Sequence, residues 1–363
     1  MARVISTVRA ETASASYDVM IGRGILRTGL EQFTAGFVET AALIVSSRVY
    51  ELHREYIENS LAPLKGRYRL AVMNDGEEHK SYAEAGRFIE MFLEWGMTRK
   101  SLIIAIGGGV VCDFAGFCAG IFMRGIPAFY IPTTLLAMVD ASVGGKVAVN
   151  ISAGKNIAGL FHQPRGVLID LLFLDTLPDL EFRNGLTEAF KHGLIGDGAT
   201  LELFSHTNPA EIRNDEVCAG LVERSVIFKS DVVRQDERED GLRAILNYGH
   251  TVGHAIESLT QKRLVPHGEA VTAGIRVANK LSCRMGLLSE DEERHVVSLM
   301  DAHGLRHGLK GMDIEGVIRH MEYDKKNFGG AVRFVLLKRI GEPIIGQMVP
   351  SAILREGLLE ELG

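Results

Sequence analysis

Apolar residues recur along the first half of the chain in two alternating rhythms. Short continuous runs, Ala41–Val45, Tyr68–Met73, Ser101–Ile106 and Ala128–Ile131, have the length of buried strands. Between the second and third, Tyr82, Ala85, Phe88, Ile89, Phe92 and Trp95 return at helical spacing, and Gly96 follows as a C-terminal cap. Strand–helix–strand alternation predicts a doubly wound parallel sheet, an α/β Rossmann-like domain. Val167–Leu174 closes this pattern, and Leu177-Pro178-Asp179 marks a boundary. Beyond it the period is helical, clearest over Leu201–His206, Glu216–Arg234, Arg243–Leu259 and Glu269–Met285. A β-like segment, Val332–Leu337, follows Gly329-Gly330. Two domains are expected, an α/β domain over 1–176 and a mainly α-helical one over 177–363.

The segment Arg243–Leu259 departs from the usual surface helix. Read as one helix, it places Arg243, Asn247, His250, His254 and Glu257 on a single face. The other faces carry Leu242, Ile245, Leu246, Val252, Ala255 and Ile256. A narrow polar stripe on an apolar cylinder inverts the surface pattern. Burying imidazoles and a guanidinium costs several kcal/mol unless each finds a partner. The stripe therefore predicts a polar cavity or a metal site.

Composition narrows the functional classes. The chain has 363 residues, 46% of them hydrophobic, enough for full cores in one large or two ordinary domains. A net charge of −6 argues against nucleic acid or a membrane surface as partner, so any anionic substrate must meet a local basic cluster. Cys112, Cys118, Cys218 and Cys283 show no CxxC pairing, which fits small core thiols in a reducing cytoplasm. The N-terminus lacks the apolar core of a signal peptide. Ser101–Phe122 holds one charge, Asp113, but its three consecutive glycines favour a buried strand, tight turn and helix over a membrane span.

Several segments carry chemistry. Gly107-Gly108-Gly109-Val110-Val111-Cys112 follows a strand and nearly fits the dinucleotide fingerprint, with Cys112 at the third glycine. Such glycines let backbone N–H groups approach a pyrophosphate at a helix N-terminus. Pro132-Thr133-Thr134 adds hydroxyls at the end of the next strand. Asp140–Lys146, with Gly144-Gly145 before the lysine, and Gly154-Lys155-Asn156 read as polar loops able to cradle phosphate or carboxylate groups. Neither has P-loop spacing. Glu188 and Lys191, at i and i+3, can face one cavity or form a surface pair. His267 precedes a helix as a cap, or joins Glu188 and His250 in a catalytic zinc set. His250 and His254, at i and i+4, are the competing ligand pair, and spacing leaves the two arrangements open.

These motifs occur in one order: GGGVVCDFAGF, FMRGI, PTTLLAMVDASVGGK, GKNIAGLFHQP, TEAFKHG, DEREDGLRAILNYGHTVGHAIE, HGEAV and DKK. Together, from about Gly76 to Leu337, they resemble the 3-dehydroquinate synthases, within the sugar phosphate cyclases. The resemblance implies an NAD-binding α/β domain, a helical metal-binding domain and a cytoplasmic homodimer. It also implies a reaction of the shikimate pathway of aromatic amino acid biosynthesis. A heptulosonate 7-phosphate is oxidised transiently at C5 by NAD, loses phosphate, is reduced again and closes to 3-dehydroquinate, so the enzyme is a lyase. The implied metal ligands are Glu188, His250 and His267, for zinc or cobalt, which leaves His254 for the substrate phosphate. Asp140, Lys146, Lys191, Arg243, Asn247 and His254 are the implied catalytic set. Arg124, Asn156, Asn184, Lys229, Glu239 and Lys326 are the implied substrate contacts, with Arg124 reaching the neighbouring subunit's site. Glu77, Lys80, Gly108, Gly109, Val110, Asp113, Thr133, Thr134, Lys155, Phe173, Leu174, Asp175 and Thr176 are the implied NAD contacts. Three departures stand out: Cys112 for glycine, Val147 for threonine, and Ser46-Ser47-Arg48 where the family often places an aspartate on the adenosine ribose. Without that carboxylate, discrimination against NADP is expected to be modest.

Overall fold

A computed structural model describes residues 2–37, 39–260, 265–327 and 332–363, with the backbone alone for 323–327. The chain forms two compact units, one of Met1–Phe182 with Lys229–Arg238, the other of Arg183–Phe228 with Glu239–Gly363.

The first unit is built on a sheet. Strands β1 (Arg3–Glu11), β2 (Ser16–Arg23), β3 (Ala41–Ser46), β4 (Tyr68–Met73), β5 (Leu102–Gly107) and β6 (Ala128–Pro132) come first. A hairpin of β7 (Lys146–Ile151) and β8 (Gly154–Phe161) follows, then β9 (Gly166–Asp170). Among the described residues, seven strands join in the order β1-β2-β9-β6-β5-β3-β4. All pair in parallel except β1 with β2. The central strands β3 and β5 are buried along their full length, which is why they read as unbroken apolar runs rather than alternations. Helix Tyr82–Glu94 presents Ala85, Phe88 and Phe92 to the interior, and Gly96 takes the left-handed conformation just past its end. Ser101–Phe122 forms the expected buried strand, tight turn and helix, as β5, a turn at Gly108 and helix Gly109–Ile121. No helix among the described residues is long and apolar enough to cross a membrane.

Two readings are corrected. The supposed polar loops around Lys146 and Lys155 are the β7–β8 hairpin, and Asp140 precedes them on a short π-helical segment, Ala137–Ala141. The run Val167–Leu174 leaves the sheet at Asp170, whose fully buried carboxylate accepts N–H bonds from Gly24, Leu26 and Leu172, so the chain turns into a 3-10 segment, Leu171–Thr176. The N-terminal hairpin and its place at the sheet edge carry no motif that announced them.

The second unit is mainly helical, with Gly198–His206, His267–Arg284, Glu290–Ala302, Ile314–Asn327 and Ser351–Leu362 as its chief helices. Helices Asp179–Ile195 and Asp215–Gln235 contribute parts to it. The expected β-like segment is one arm of a hairpin of β10 (Phe334–Arg339) and β11 (Glu342–Gln347), fastened to helix His267–Arg284 by Leu337 N–H donating to Ser282 Oγ at 3.1 Å. Gly329 and Gly330 lie outside the described residues.

Candidate active site

Arg243–Leu259 is not one helix. A 3-10 segment, Leu242–Asn247, ends at Tyr248, and a new helix, His250–Leu259, starts after Gly249. Gly249 has φ +79°, and a Cβ there would sit 2.7 Å from Ile275 Cγ1. Opposite it, a Cβ on Gly274 would lie 1.9 Å from the Gly249 carbonyl oxygen. Backbone thus meets backbone, and only glycine permits the crossing. The break puts Arg243 and Asn247 on a different element from His250, His254 and Glu257, although Asn247 still lines one cavity with His250 and His254. The crossing brings the start of helix His250–Leu259 against helix His267–Arg284.

The result is a three-residue cluster. One ligand atom from each of Glu188, His250 and His267 lies within 4.8 Å of the others. Nε2 of His250 and Nε2 of His267 stand 3.5 and 3.6 Å from Glu188 Oε1. That oxygen is buried and without a hydrogen-bond partner, an orphan that costs free energy unless something positive fills the space it faces. Both rings are fixed from behind. His250 Nδ1 donates to the Tyr248 carbonyl at 3.1 Å, which leaves the Nε2 lone pair toward the cluster. His267 Nδ1 lies 3.4 Å from Glu257 Oε1 in the same arrangement. One carboxylate and two imidazoles with a carbonyl or carboxylate behind each ring are the donor set of a divalent transition-metal site with open positions. The residues fit such an ion.

Electrostatics agree. Burial opposes charge on Glu188, but Lys191, His250 and His267 outweigh it and hold the carboxyl well below its usual range. Burial, helped by Lys191, drives His250 down to about 3, so its Nε2 carries a lone pair at neutral pH. Burial would lower His267 too, yet Glu188 and Glu257 lift it to about 10, placing a proton where a cation can sit. Lys191 donates to Glu188 Oε2 with both side chains inside, so they are no surface pair. His254 stands one turn beyond His250, ring centroids 5.3 Å apart. Asn184 accepts the Gly268 N–H at 3.2 Å and so braces the start of the His267 helix. Asn247 donates to Glu239 Oε1 at 2.7 Å, and Arg243 is buried nearby in sequence. The Lys326 side chain lies outside the described residues.

In the sheet unit, a second set gathers at the carboxyl ends of the strands. Lys80 Nζ donates to Asp113 Oδ2 at 2.6 Å, and Lys155 Nζ lies 3.7 Å from Glu77 Oε1. Asn150, which the sequence did not single out, donates to Glu77 Oε1 at 2.9 Å and accepts the Asn156 N–H at 2.9 Å. Gly108 caps helix Gly109–Ile121, and a Cβ there would press Thr134 Cγ2 at 3.1 Å. Gly109 and Val110 form the first turn of that helix, and Thr133 N–H donates to Gly107. Lys229 reaches Asp140 at 2.6 Å. Phe173, Leu174, Asp175 and Thr176 occupy the 3-10 segment after β9, where His53 meets Thr176 Oγ1 at 2.7 Å. Lys146 opens β7. Met123 and Arg124 both hold left-handed backbone, φ +51° and +70°, a strained turn for non-glycine residues.

The serines at the end of β3 are not without a carboxylate. Asp75, just beyond β4, accepts from Ser46 Oγ at 2.6 Å, Ser47 Oγ at 2.5 Å and Arg48 N–H at 2.7 Å. Burial works against its charge, but these donors hold its carboxyl below the usual range. An acid sits at the end of β3 after all, supplied by the neighbouring parallel strand, and the expected weak discrimination against NADP loses its basis.

Residues 70–184 match the 3-dehydroquinate synthase N-terminal family and residues 185–327 the 3-dehydroquinate synthase C-terminal family. A 3-dehydroquinate synthase of Pelotomaculum thermopropionicum is 42% identical over 98% of both chains. One from Pelobacter propionicus is 39% identical over 98% of this chain and all of its own. Among solved structures, 2-deoxy-scyllo-inosose synthase complexed with carbaglucose-6-phosphate, NAD+ and Co2+ superposes with a TM-score of 0.91 at 26% identity, covering 98% of this chain and 100% of that one. Iron-containing alcohol dehydrogenases at 15–16% identity share the fold alone, with TM-scores of 0.66 and 0.65. By both family matches and by these full-length relatives, the chain belongs to the 3-dehydroquinate synthase family.

Proposed function

We propose that this chain converts 3-deoxy-D-arabino-heptulosonate 7-phosphate to 3-dehydroquinate and phosphate as a lyase of the shikimate pathway. The observation that carries the reading is the buried cluster of Glu188, His250 and His267, with an orphaned Glu188 Oε1 and both imidazole Nε2 atoms turned toward it. These three residues would hold a zinc or cobalt ion. Glu77, Lys80, Gly108, Gly109, Val110, Asp113, Thr133, Thr134, Lys155 and Phe173–Thr176 would hold NAD, which assigns the dinucleotide to residues 1–176 and the metal to 177–363. When bound, NAD supplies reversible hydride transfer at C5 and the divalent ion acidifies the alcohol being oxidised.

The chain's own residues supply orientation and charge. The substrate bears a phosphate at one end and a carboxylate at the other, and Lys191, Arg243 and Lys229 are cations taken out of water to meet such groups. Lys146, Asn156, Lys326 and His254 serve the phosphate end, and Asp140, Asn184, Asn247 and Glu239 hold hydroxyls and neighbouring donors. Arg124, on its strained turn, reaches the site of a second copy in a homodimer. Among the described residues all four cysteines are free, consistent with work in the cytoplasm.

The test is phosphate release from the heptulosonate phosphate with NAD far below substrate. One phosphate per substrate should appear with no net rise in NADH, and chelation should abolish turnover until zinc or cobalt is restored. Stoichiometric NADH would move the chain to the dehydrogenases that share its fold. Full turnover in metal-free protein would overturn the metal assignment.

A further inference from the structure

The helical unit carries an open cavity of about 590 Å³ whose walls come from several elements. Asn247, His250 and His254 line it and belong to the site already described. The lining also includes His320, on helix Ile314–Asn327, and Arg333 and Gly346 of the β10–β11 hairpin region. No role has been attached to these three.

Arg333 is the one whose surroundings ask for a ligand. Its backbone is placed by the site itself, since Thr251, the residue after His250, directs its hydroxyl to the Arg333 carbonyl at 3.5 Å. Its guanidinium lies over Gly346, with Nη1 3.6 Å from where a Cβ would be, so the glycine leaves the fork room to lie along the cavity wall. Gly346 holds φ +73°, which secures that bare surface. Among the described residues no carboxylate pairs with the guanidinium, although Glu239 and Asp240 line the same cavity. Glu239 is engaged by Asn247. A planar fork of N–H donors, unpaired and turned along a wall that also carries imidazoles, matches a tetrahedral dianion better than any neutral group.

We infer that Arg333 is a further positioning residue for the phosphate group, receiving it at the stretch of cavity wall it shares with Gly346; this rests on the proposed phosphate-releasing reaction. The residue is exposed at the rim, so its charge acts on encounter and on retention of phosphate more than on the chemical steps.

The test compares Arg333→Ala and Arg333→Lys with the parent as metal-loaded holoenzymes. Arg333→Ala should raise KM for the sugar phosphate roughly 10-fold, leave kcat within about twofold, and weaken product inhibition by inorganic phosphate by the same factor. Arg333→Lys should recover most of the loss at low ionic strength and less of it at high, because it restores charge without the fork. Unchanged KM and unchanged phosphate inhibition in Arg333→Ala would overturn the inference, as would a KM effect with phosphate inhibition intact. Calorimetric binding of inorganic phosphate to parent and Arg333→Ala protein separates this from the underlying reading. If no phosphate is released from the heptulosonate phosphate, that reaction fails, yet equal phosphate affinities would still be needed to dismiss Arg333. Equal zinc affinity in both proteins establishes that the variant is folded.

Discussion

Replacing Glu188 by Gln tests whether the buried cluster is an electrostatic unit. The side chain has 0% exposure and its partner Lys191 has 2%. Glutamine keeps the volume, so no cavity term enters, but it removes the negative charge paired with the Lys191 ammonium. Breaking a buried pair from one side typically costs about 3–5 kcal/mol, because the remaining ion stays desolvated. At roughly 2–4 °C per kcal/mol for a unit of 150–250 residues, the chelator-treated variant should melt about 6–20 °C below the parent. Lys191→Met alone should also destabilise, and the double variant should recover much of the loss, since neutral side chains then fill the site. The coupling in that double-mutant cycle should reach about 2 kcal/mol or more. Circular dichroism of the full chain, with and without zinc, reads all of this. Zinc at 100 times its Kd should stabilise the parent by about 2.7 kcal/mol and the Gln variant far less. A Gln variant that melts with the parent, and substitutions that simply add, would refute the reading of Glu188 as the hub of the cluster.

Other expectations follow from single contacts. His267→Ala should weaken zinc binding, measured by competition with a chelating dye, more than His254→Ala; the reverse order would favour the i, i+4 pair as ligands. Asp75→Ala should narrow the preference for NAD over NADP by roughly tenfold or more, read from the two dissociation constants, and an unchanged ratio would place the selection elsewhere. Burial opposes the Glu361 charge, but His307 and Arg276 outweigh it and hold its carboxyl below the usual 4.5. A depressed acid stabilises the fold above that pH and ceases to do so as pH falls through its folded value. Glu361→Gln should therefore lower the unfolding free energy read from urea denaturation near neutrality by about 1–2 kcal/mol, with the gap closing in acid. A gap that is constant with pH would sink this assignment.

The parts of the fold that were legible are those where one strand or helix carries its own signal. β3 and β5 are buried on both faces and could hardly read otherwise, and helix Tyr82–Glu94 shows its inner face in its spacing. β8 was illegible for the opposite reason. Its pattern is mostly exposed, so no apolar alternation betrays it, and its glycine and lysine mimic a loop.

The site divides in the same way. Glu188 and Lys191 share a helix, and their pairing could be anticipated from i, i+3 spacing. His250 and His267 meet only because Gly249 and Gly274 let two backbones touch, and a pair of glycines 25 residues apart has no periodicity to announce it. Gly249 did offer a warning. A glycine between Tyr248 and His250 is as good a break as a member of a helix, and the polar stripe runs through it without interruption. Asp75 shows the limit most plainly. Its neighbours Ser46 and Ser47 are about thirty residues away, and the three come together because β3 and β4 pair in register, Ser46 beside Met73. A carboxylate missing from one strand's end is not missing from the site when the adjacent parallel strand delivers one at the same level. In a parallel sheet, where every strand's carboxyl end opens on the same edge, selectivity has to be read across strands rather than along the chain.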